Sequence, residues 1–176
     1  MYKNIFQNYF ELSVAASSLL IVILAIALDK ILFLQACPMC ILTRYVFVLI
    51  TVSAILAMLI KKKGVGLVLI VTSSILGLLV TSRQIYIQNM SVEDLVQLSG
   101  CSMPFHTQVE YFGLVEAITR TLAGGPSCAE DGLRFIFNFA EWGFILFLAF
   151  LVSSVLKLKN SLIHYFCSKT TSLAAL

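Results

Sequence analysis

Four long apolar runs limit what this chain can fold into, because each is long enough to cross the roughly 30 Å hydrocarbon core of a bilayer as a helix. The 176-residue chain is 60% hydrophobic and only 12% charged, with a mean hydropathy of +0.97. A water-soluble domain is far less apolar than this. The sequence therefore predicts an all-α membrane protein, a four-transmembrane-helix bundle in a single domain over residues 1–176. The predicted spans are residues 12–28, 41–60, 64–82 and 139–156.

The charged residues predict the orientation of this bundle, because cytoplasmic flanks carry the excess of Lys and Arg. Residues 29–40 and 83–138 are expected to form the outer loops, with both termini cytoplasmic. A net charge of +3 is too small and too scattered to indicate a nucleic-acid partner. An alternative for the first run is a cleaved signal peptide, since Ala25-Ile26-Ala27 has the small-x-small form of a cleavage site. Most lysines fall on the predicted inner side: Lys3, Lys61, Lys62, Lys63, Lys157, Lys159 and Lys169.

Four of the five cysteines fall in the outer loops, and this orientation places them on the oxidising side of the membrane. Cys167 follows the last span on the reducing side and is interpreted as a spare thiol. Cleavage after the first run would leave the other four outside in either case. They are Cys37, Cys40, Cys101 and Cys128.

Cys37 and Cys40 stand two residues apart directly before the second span. Cys40 is therefore expected near a helix N-terminus, where unpaired amides favour an anion such as a thiolate. A stabilised thiolate predicts a redox couple rather than an inert disulfide, and Pro38 suits a first helical turn. Haem attachment is excluded because Ile41, and not His, follows Cys40. A zinc site and a purely structural disulfide remain less favoured alternatives, because the other cysteines lack a matching spacing and so tight a loop closes little chain entropy.

Arg44 follows Cys40 by four residues, which places both on one helix face with Arg44 a turn deeper in the span. One interpretation is an arginine that snorkels to the membrane surface from a helix end. The other is a fixed cation beside a thiolate and beside an acceptor bound at the membrane edge. An apolar carrier with a polar head, such as a quinone, would meet Arg44 there.

The long outer loop carries Cys101 and Cys128, which are flanked by glycine and proline. This composition predicts an exposed disulfide of the readily exchanged kind. Between the two cysteines, apolar residues recur at helical spacing. They predict a short amphipathic helix on the outer membrane surface, or a lid packed on the bundle. The recurring positions are Val109, Phe112, Val115, Ile118 and Leu122.

The motif Gln35-x-Cys37-x-x-Cys40-x-x-x-Arg44, opening the second helix of a four-helix membrane protein, resembles DsbB, the family of quinone-dependent disulfide bond formation proteins. The long outer loop with its second cysteine pair resembles the same family. So do the exit of that loop at Cys128-Ala129-Glu130 and Trp142 near the start of the fourth span. The similarity covers nearly the whole chain, from the first span to the fourth.

The resemblance implies a membrane thiol:quinone oxidoreductase in the bacterial inner membrane, with its cysteine loops in the periplasm. A periplasmic thioredoxin-fold protein of the DsbA type would pass electrons to the Cys101–Cys128 pair. That pair would pass them to Cys37–Cys40, and Cys40 would pass them to ubiquinone or menaquinone from the quinone pool among the membrane lipids. The resemblance implies no metal.

Arg44 and Arg83 are the quinone-binding residues that the resemblance implies. Arg83 closes the third span and matches a basic residue that the family carries at that helix end. Family members often have a His shortly after it, and here Gln88, Asn89 and Ser91 occupy that stretch. Whatever that His does must be done otherwise in this chain, or not at all.

Three alternatives remain open from the sequence. An enzyme similar to vitamin K epoxide reductase would also link loop cysteines to a membrane Cys-x-x-Cys, but its motif stands near the end of the bundle. A specialised DsbB relative would serve one dedicated partner. A membrane protein with purely structural disulfides would show no thiol-dependent change in quinone absorbance.

Overall fold

The computed structural model describes residues 2–33, 36–59, 63–91, 93–94, 103–125, 128 and 138–173. Side chains are described over the same ranges except 2–8, 63 and 160–173. Over these residues the chain forms four long helices and two short ones. They are α1 (Tyr2–Leu32), α2 (Pro38–Leu59), α3 (Lys63–Gln88), α4 (Phe105–Phe112), α5 (Leu114–Ala123) and α6 (Phe139–Leu173).

Four stretches of these helices are long and apolar enough to cross a membrane, which confirms the predicted four-helix membrane fold. They are Tyr9–Leu32, Pro38–Leu59, Gly64–Gln88 and Phe139–Lys159. The first helix extends past Glu11 and Asp29, the charges on either side of its predicted run of residues 12–28. Glu11 is buried in the bundle, and Asp29 forms an ion pair with Arg44 of α2.

Packing joins the long helices in the order α1, α2, α3 and α6, each against the next. Aromatic rings fill the contact between α2 and α6, where Phe47 stacks on Phe147 with ring centroids 4.2 Å apart. Phe150 meets the edge of the same Phe47 ring. Gly77 of α3 lies directly against Phe147, so a small residue at this position lets α3 and α6 approach closely.

Hydroxyl groups also join neighbouring helices inside the bundle. The Ser18 and Thr51 side-chain oxygens are 2.8 Å apart between α1 and α2, and those of Ser53 and Ser73 are 3.5 Å apart between α2 and α3. Such hydrogen bonds hold membrane helices together, since hydrocarbon offers their hydroxyls no other polar partner. The helix pairs are therefore fixed relative to one another by polar as well as apolar contacts.

Residues 103–125, a described part of the loop between α3 and α6, form two short helices where the sequence predicts one amphipathic helix. The break falls at Gly113, whose φ of 79° lies in the left-handed region that glycine adopts without steric cost. Phe105 and Gln108 are buried on one face of α4, whereas Tyr111 and Val115 are exposed. The Phe105 ring contacts Tyr45 of α2 at a centroid distance of 5.9 Å. The short helices therefore pack on the end of the bundle at which α2 begins.

Replacement of Gly77 by alanine tests the close contact between α3 and α6. A Cβ at this position would lie 2.5 Å from the Phe147 ring, so Gly77→Ala should destabilise the bundle by about 1–3 kcal/mol, the usual effect of overpacking. The measurement is unfolding in detergent, followed by the fluorescence of the single tryptophan, Trp142. Gly64→Ala is the matched control, because a Cβ at Gly64 meets nothing within 4 Å. Equal stability of the two variants would contradict the packing described.

Candidate functional site

The candidate site is built on the first turn of α2, and the local sequence explains its geometry. The Ile41 amide donates to the Cys37 carbonyl at 3.1 Å, which makes Cys37 the residue that caps the helix. Pro38 follows at the first helical position, where its missing amide hydrogen costs nothing. The Cys40 amide donates to the Cys37 sulfur at 3.2 Å, in the position that a capping side chain usually takes. The Cys-x-x-Cys spacing thus folds both cysteines onto one helix end.

The two thiols of this turn are in direct contact. Cys37 Sγ donates a hydrogen bond to Cys40 Sγ across 2.7 Å. Hydrogen bonding to Cys128 and to Cys40, together with burial, raises the pKa of the Cys37 thiol. Cys37 therefore keeps its proton, and negative charge is favoured on the sulfur that accepts its hydrogen bond, Cys40.

Cys128 is the third thiol of the site. It is 2% exposed, its amide donates to the Gly125 carbonyl at 2.9 Å, and its side chain hydrogen bonds with Cys37. Met39 and Ile87 are buried in the same apolar cluster. The structure therefore brings together three of the four cysteines that the sequence singles out. Cys101, the fourth, lies outside the described residues.

Gln84 is a site residue that the sequence reasoning missed. It is 2% exposed on α3, and its side-chain Nε2 donates to Cys40 Sγ at 3.2 Å, with Cys37 Sγ at 3.8 Å. The sequence prediction ends the third span at residue 82 and leaves Gln84 in the outer loop, whereas the helix continues to Gln88 and carries Gln84 into the bundle. The sequence does not show which partner it finds, since Gln84 and Cys40 stand on different helices.

Arg44 lies one turn below Cys40, as the spacing predicts, and forms an ion pair with Asp29 of α1. Both side chains are 22% exposed, so the pair is close to the surface of the bundle without being fully solvated. The sequence did not predict this contact, because Asp29 and Arg44 stand on different helices. An arginine carries five N–H donors, and the ion pair with one carboxylate leaves others available to a ligand.

Arg83 makes contacts that its sequence position did not predict. Its Nε donates to the Leu122 carbonyl at 3.2 Å and its Nη2 to the Ala123 carbonyl at 3.3 Å. These are the last carbonyls of α5, which lack partners within their own helix and attract a cation. The Arg83 guanidinium also lies 5.3 Å from the Tyr86 ring centroid. Arg83 therefore ties α3 to the end of α5, which precedes Cys128 by five residues.

Four apolar helices with three thiols gathered at one end of the bundle define a membrane protein of thiol–disulfide chemistry. The family model of the disulfide bond formation protein DsbB matches residues 7–157. The chain therefore belongs to the DsbB family. This membership favours the resemblance to DsbB over the alternative of an enzyme similar to vitamin K epoxide reductase.

Curated relatives agree with the family match. The chain is similar to disulfide bond formation protein B of a Polaromonas species, with 32% identity over 126 residues, 69% of this chain and 73% of the relative. The protein of the same name from Albidiferax ferrireducens is 32% identical over 124 residues, 68% of this chain and 69% of the relative. Disulfide bond formation protein B 1 of Pseudomonas aeruginosa is 24% identical over 138 residues, 76% and 83% of the two chains.

The contact of Arg83 with the end of α5 predicts an effect on the position of Cys128. In a background with Cys40→Ser, Cys101→Ser and Cys167→Ser, Cys37 and Cys128 are the only cysteines. Adding Arg83→Gln should slow oxidant-induced formation of the Cys37–Cys128 disulfide about fivefold or more, given roughly 1 kcal/mol for each lost hydrogen bond. Non-reducing electrophoresis or mass spectrometry measures the rate.

The matched control for this experiment is Arg120→Gln. Arg120 is on α5 itself and pairs with Glu116 of the same helix, 3.0 Å away, so its loss removes a charge without releasing α5 from α3. An unchanged rate with Arg83→Gln, or an equal loss with Arg120→Gln, would disprove the positioning of Cys128 by Arg83.

Proposed function

We propose that the protein is a quinone-dependent thiol oxidase of the bacterial inner membrane that reoxidises a DsbA-type thioredoxin-fold protein in the periplasm. In this proposal both termini are cytoplasmic and the cysteine loops are periplasmic, in accord with the distribution of lysine. The observation that carries the proposal is the series of sulfurs at the start of α2. Cys128 hydrogen bonds with Cys37, and Cys37 hydrogen bonds with Cys40.

The first step of the proposed cycle transfers electrons from the partner to the outer loop. A thiolate of the reduced partner attacks the Cys101–Cys128 disulfide, at Cys101 in the scheme that the family resemblance implies. This forms a mixed disulfide between the partner and Cys101 and releases Cys128 as a thiolate. The second partner thiol then resolves the mixed disulfide, so that the partner leaves oxidised and both loop cysteines are reduced.

The second step moves the same two electrons to the helix end. Cys128 attacks the Cys37 sulfur of the Cys37–Cys40 disulfide, forming a Cys37–Cys128 bond and releasing Cys40 as a thiolate. Cys101 then attacks Cys128, which restores the loop disulfide and returns Cys37 to the thiol state. The contact between Cys37 and Cys128 supports this route, since exchange needs the attacking and attacked sulfurs to meet.

The last step reoxidises Cys37 and Cys40 to their disulfide. The oxidant in this proposal is a lipid-soluble quinone, either ubiquinone or menaquinone, which accepts two electrons and two protons when bound. The residues present fit such an oxidant, because Cys40 stands in the first turn of a membrane-crossing helix and Arg44, a turn deeper, has donors beyond the one that meets Asp29 among the described residues. The Arg44 cation also favours negative charge on Cys40 before the electrons leave. Arg83, at the same end of the bundle, is retained as a second proposed contact for the quinone.

Single replacements of the cysteines test the proposed order of transfer. Cys37→Ser or Cys40→Ser should abolish quinone reduction, because the pair next to the membrane can no longer form. Cys101→Ser or Cys128→Ser should block turnover with protein thiols while leaving Cys37 and Cys40 able to form their disulfide. The assay combines purified protein, a short-chain ubiquinone and a reduced DsbA-type donor, followed by quinone absorbance.

Cys167→Ser is the control for this series, since the proposal places that thiol on the other side of the membrane. It should turn over at the wild-type rate. Normal turnover of either the Cys37 or the Cys40 variant would defeat the assignment, as would labelling of Cys37 by a cytoplasmic thiol reagent that does not cross the membrane.

Arg44→Gln tests the proposed contact with quinone. Its KM for the short-chain ubiquinone should rise about tenfold, since a hydrogen bond to a charged group is worth about 1.5–3 kcal/mol. Asp29→Asn is the control, because it removes the ion pair yet keeps an oxygen that accepts from Arg44. It should leave KM within about twofold of wild type, by the small worth of a partly exposed ion pair. An unchanged KM in Arg44→Gln would refute the role of Arg44.

A further inference from the structure

The amide of Gln84 joins two helices at the reacting sulfurs. Its Nε2 reaches Cys40 Sγ at 3.2 Å from α3, whereas Cys40 begins α2. The Gln84 side chain is 2% exposed, so water does not compete for this donor as it would at the surface. Thr81, one turn earlier on α3, is also buried but donates to the Gly77 carbonyl of its own helix. Gln84 directs its donor to a sulfur instead.

The distances favour one sulfur over the other. Cys37 Sγ is 3.8 Å from the Gln84 nitrogen, at the limit of a hydrogen bond to sulfur, and Cys40 Sγ is 0.6 Å closer (3.8 − 3.2). Cys37 already meets the Cys40 amide and the Cys128 side chain. The amide of Gln84 is therefore placed to stabilise Cys40 more than Cys37.

The importance of this donor changes through the cycle of the proposed function, on which the inference rests. In the reduced pair, the Cys37 thiol also donates to Cys40. When Cys37 is bonded to Cys128, it has no thiol hydrogen to give, and Cys40 is a thiolate. At that step, among the side chains that the structure describes, the amide of Gln84 still donates a hydrogen bond to the Cys40 sulfur.

We propose that Gln84 is a positioning residue for the Cys37–Cys40 pair, whose amide holds the Cys40 sulfur and stabilises it as the leaving thiolate. Loss of this amide makes the reduced pair less stable relative to its disulfide. The pair then accepts electrons from the loop cysteines less readily. Gln84 thus favours electron flow from the loop toward the membrane.

The test uses a background of Cys101→Ser, Cys128→Ser and Cys167→Ser, in which Cys37 and Cys40 are the only cysteines. Gln84→Met keeps the length of the side chain and removes its donor. Equilibration with glutathione buffers, in detergent and without quinone, should show a reduction potential about 30 mV more negative, which corresponds to a tenfold change in the exchange constant. The alkylation rate of Cys40 by iodoacetamide at neutral pH should fall about tenfold.

Gln88→Met is the matched control. Gln88 stands one turn further along α3 and is partly buried, so the same chemical change is made beside the site. Its exchange constant with glutathione and its alkylation rate should both stay within twofold of the values for the background protein. Gln84→Glu is the second variant and serves if Gln84→Met does not fold. Its carboxylate repels a thiolate, so both readouts should move in the same direction as in Gln84→Met.

Three results would overturn the inference. They are an unchanged potential in Gln84→Glu together with Gln84→Met, an unchanged alkylation rate in both, and an equal change in Gln88→Met. The measurements need neither quinone nor partner. A shifted potential in a protein whose wild type does not reduce quinone would therefore uphold the role of Gln84 and reject the proposed oxidase function.

Discussion

The structure depends on one constraint, namely that a polar group inside a bilayer must find its partner within the protein. The hydroxyl oxygens of Ser18 and Thr51 meet between α1 and α2, and each hydroxyl also reaches a carbonyl of its own helix. Arg44 meets Asp29 across the same two helices, closer to the outer end. Gln84 meets the sulfur of Cys40 between α2 and α3. Each of these contacts fixes the rotation of one helix against another, and the last fixes it at the thiols themselves.

The chemistry of the thiols follows from the start of α2 in the same way. A helix N-terminus leaves amides without partners, and in this chain Cys37 supplies the capping acceptor through its sulfur. A capping residue of the usual kind, such as Ser or Asp, would satisfy the same amide but could not exchange a disulfide. The requirement of the helix and the requirement of the chemistry are therefore met by one side chain. Pro38 completes the turn without adding an amide that needs a partner.

The fold was predictable from the sequence to a larger extent than the site. Long apolar runs identify the four spans, two of them without any charge and two with one each, because burial of a charge in hydrocarbon is costly enough to leave a clear pattern. The turn that joins Cys37 to Cys40 was also predictable, since it depends on local spacing. Gln84 and Asp29 were not, because their contacts depend on which faces of two helices meet. Helices that are apolar on almost every side carry little information about rotation. The break between α4 and α5 at Gly113 was not predicted, because the helical spacing of apolar residues continues from one helix into the next.

Two arginines stand at the same end of the bundle, and their surroundings give them different capacities. Arg83 donates two hydrogen bonds to the carbonyls that end α5 and lies beside the Tyr86 ring, so it holds the end of α5 against α3. Arg44 pairs with one carboxylate and lies below Cys40. In the proposed cycle this arrangement separates the delivery of electrons from their release, since electrons reach Cys37 from Cys128, the cysteine that follows the helix held by Arg83. In the same proposed cycle, electrons leave from Cys40, whose sulfur meets Gln84 and which has the cation of Arg44 a turn deeper. Because Cys37 keeps its proton, the sulfur that meets the loop and the sulfur that carries the charge are different atoms of one turn.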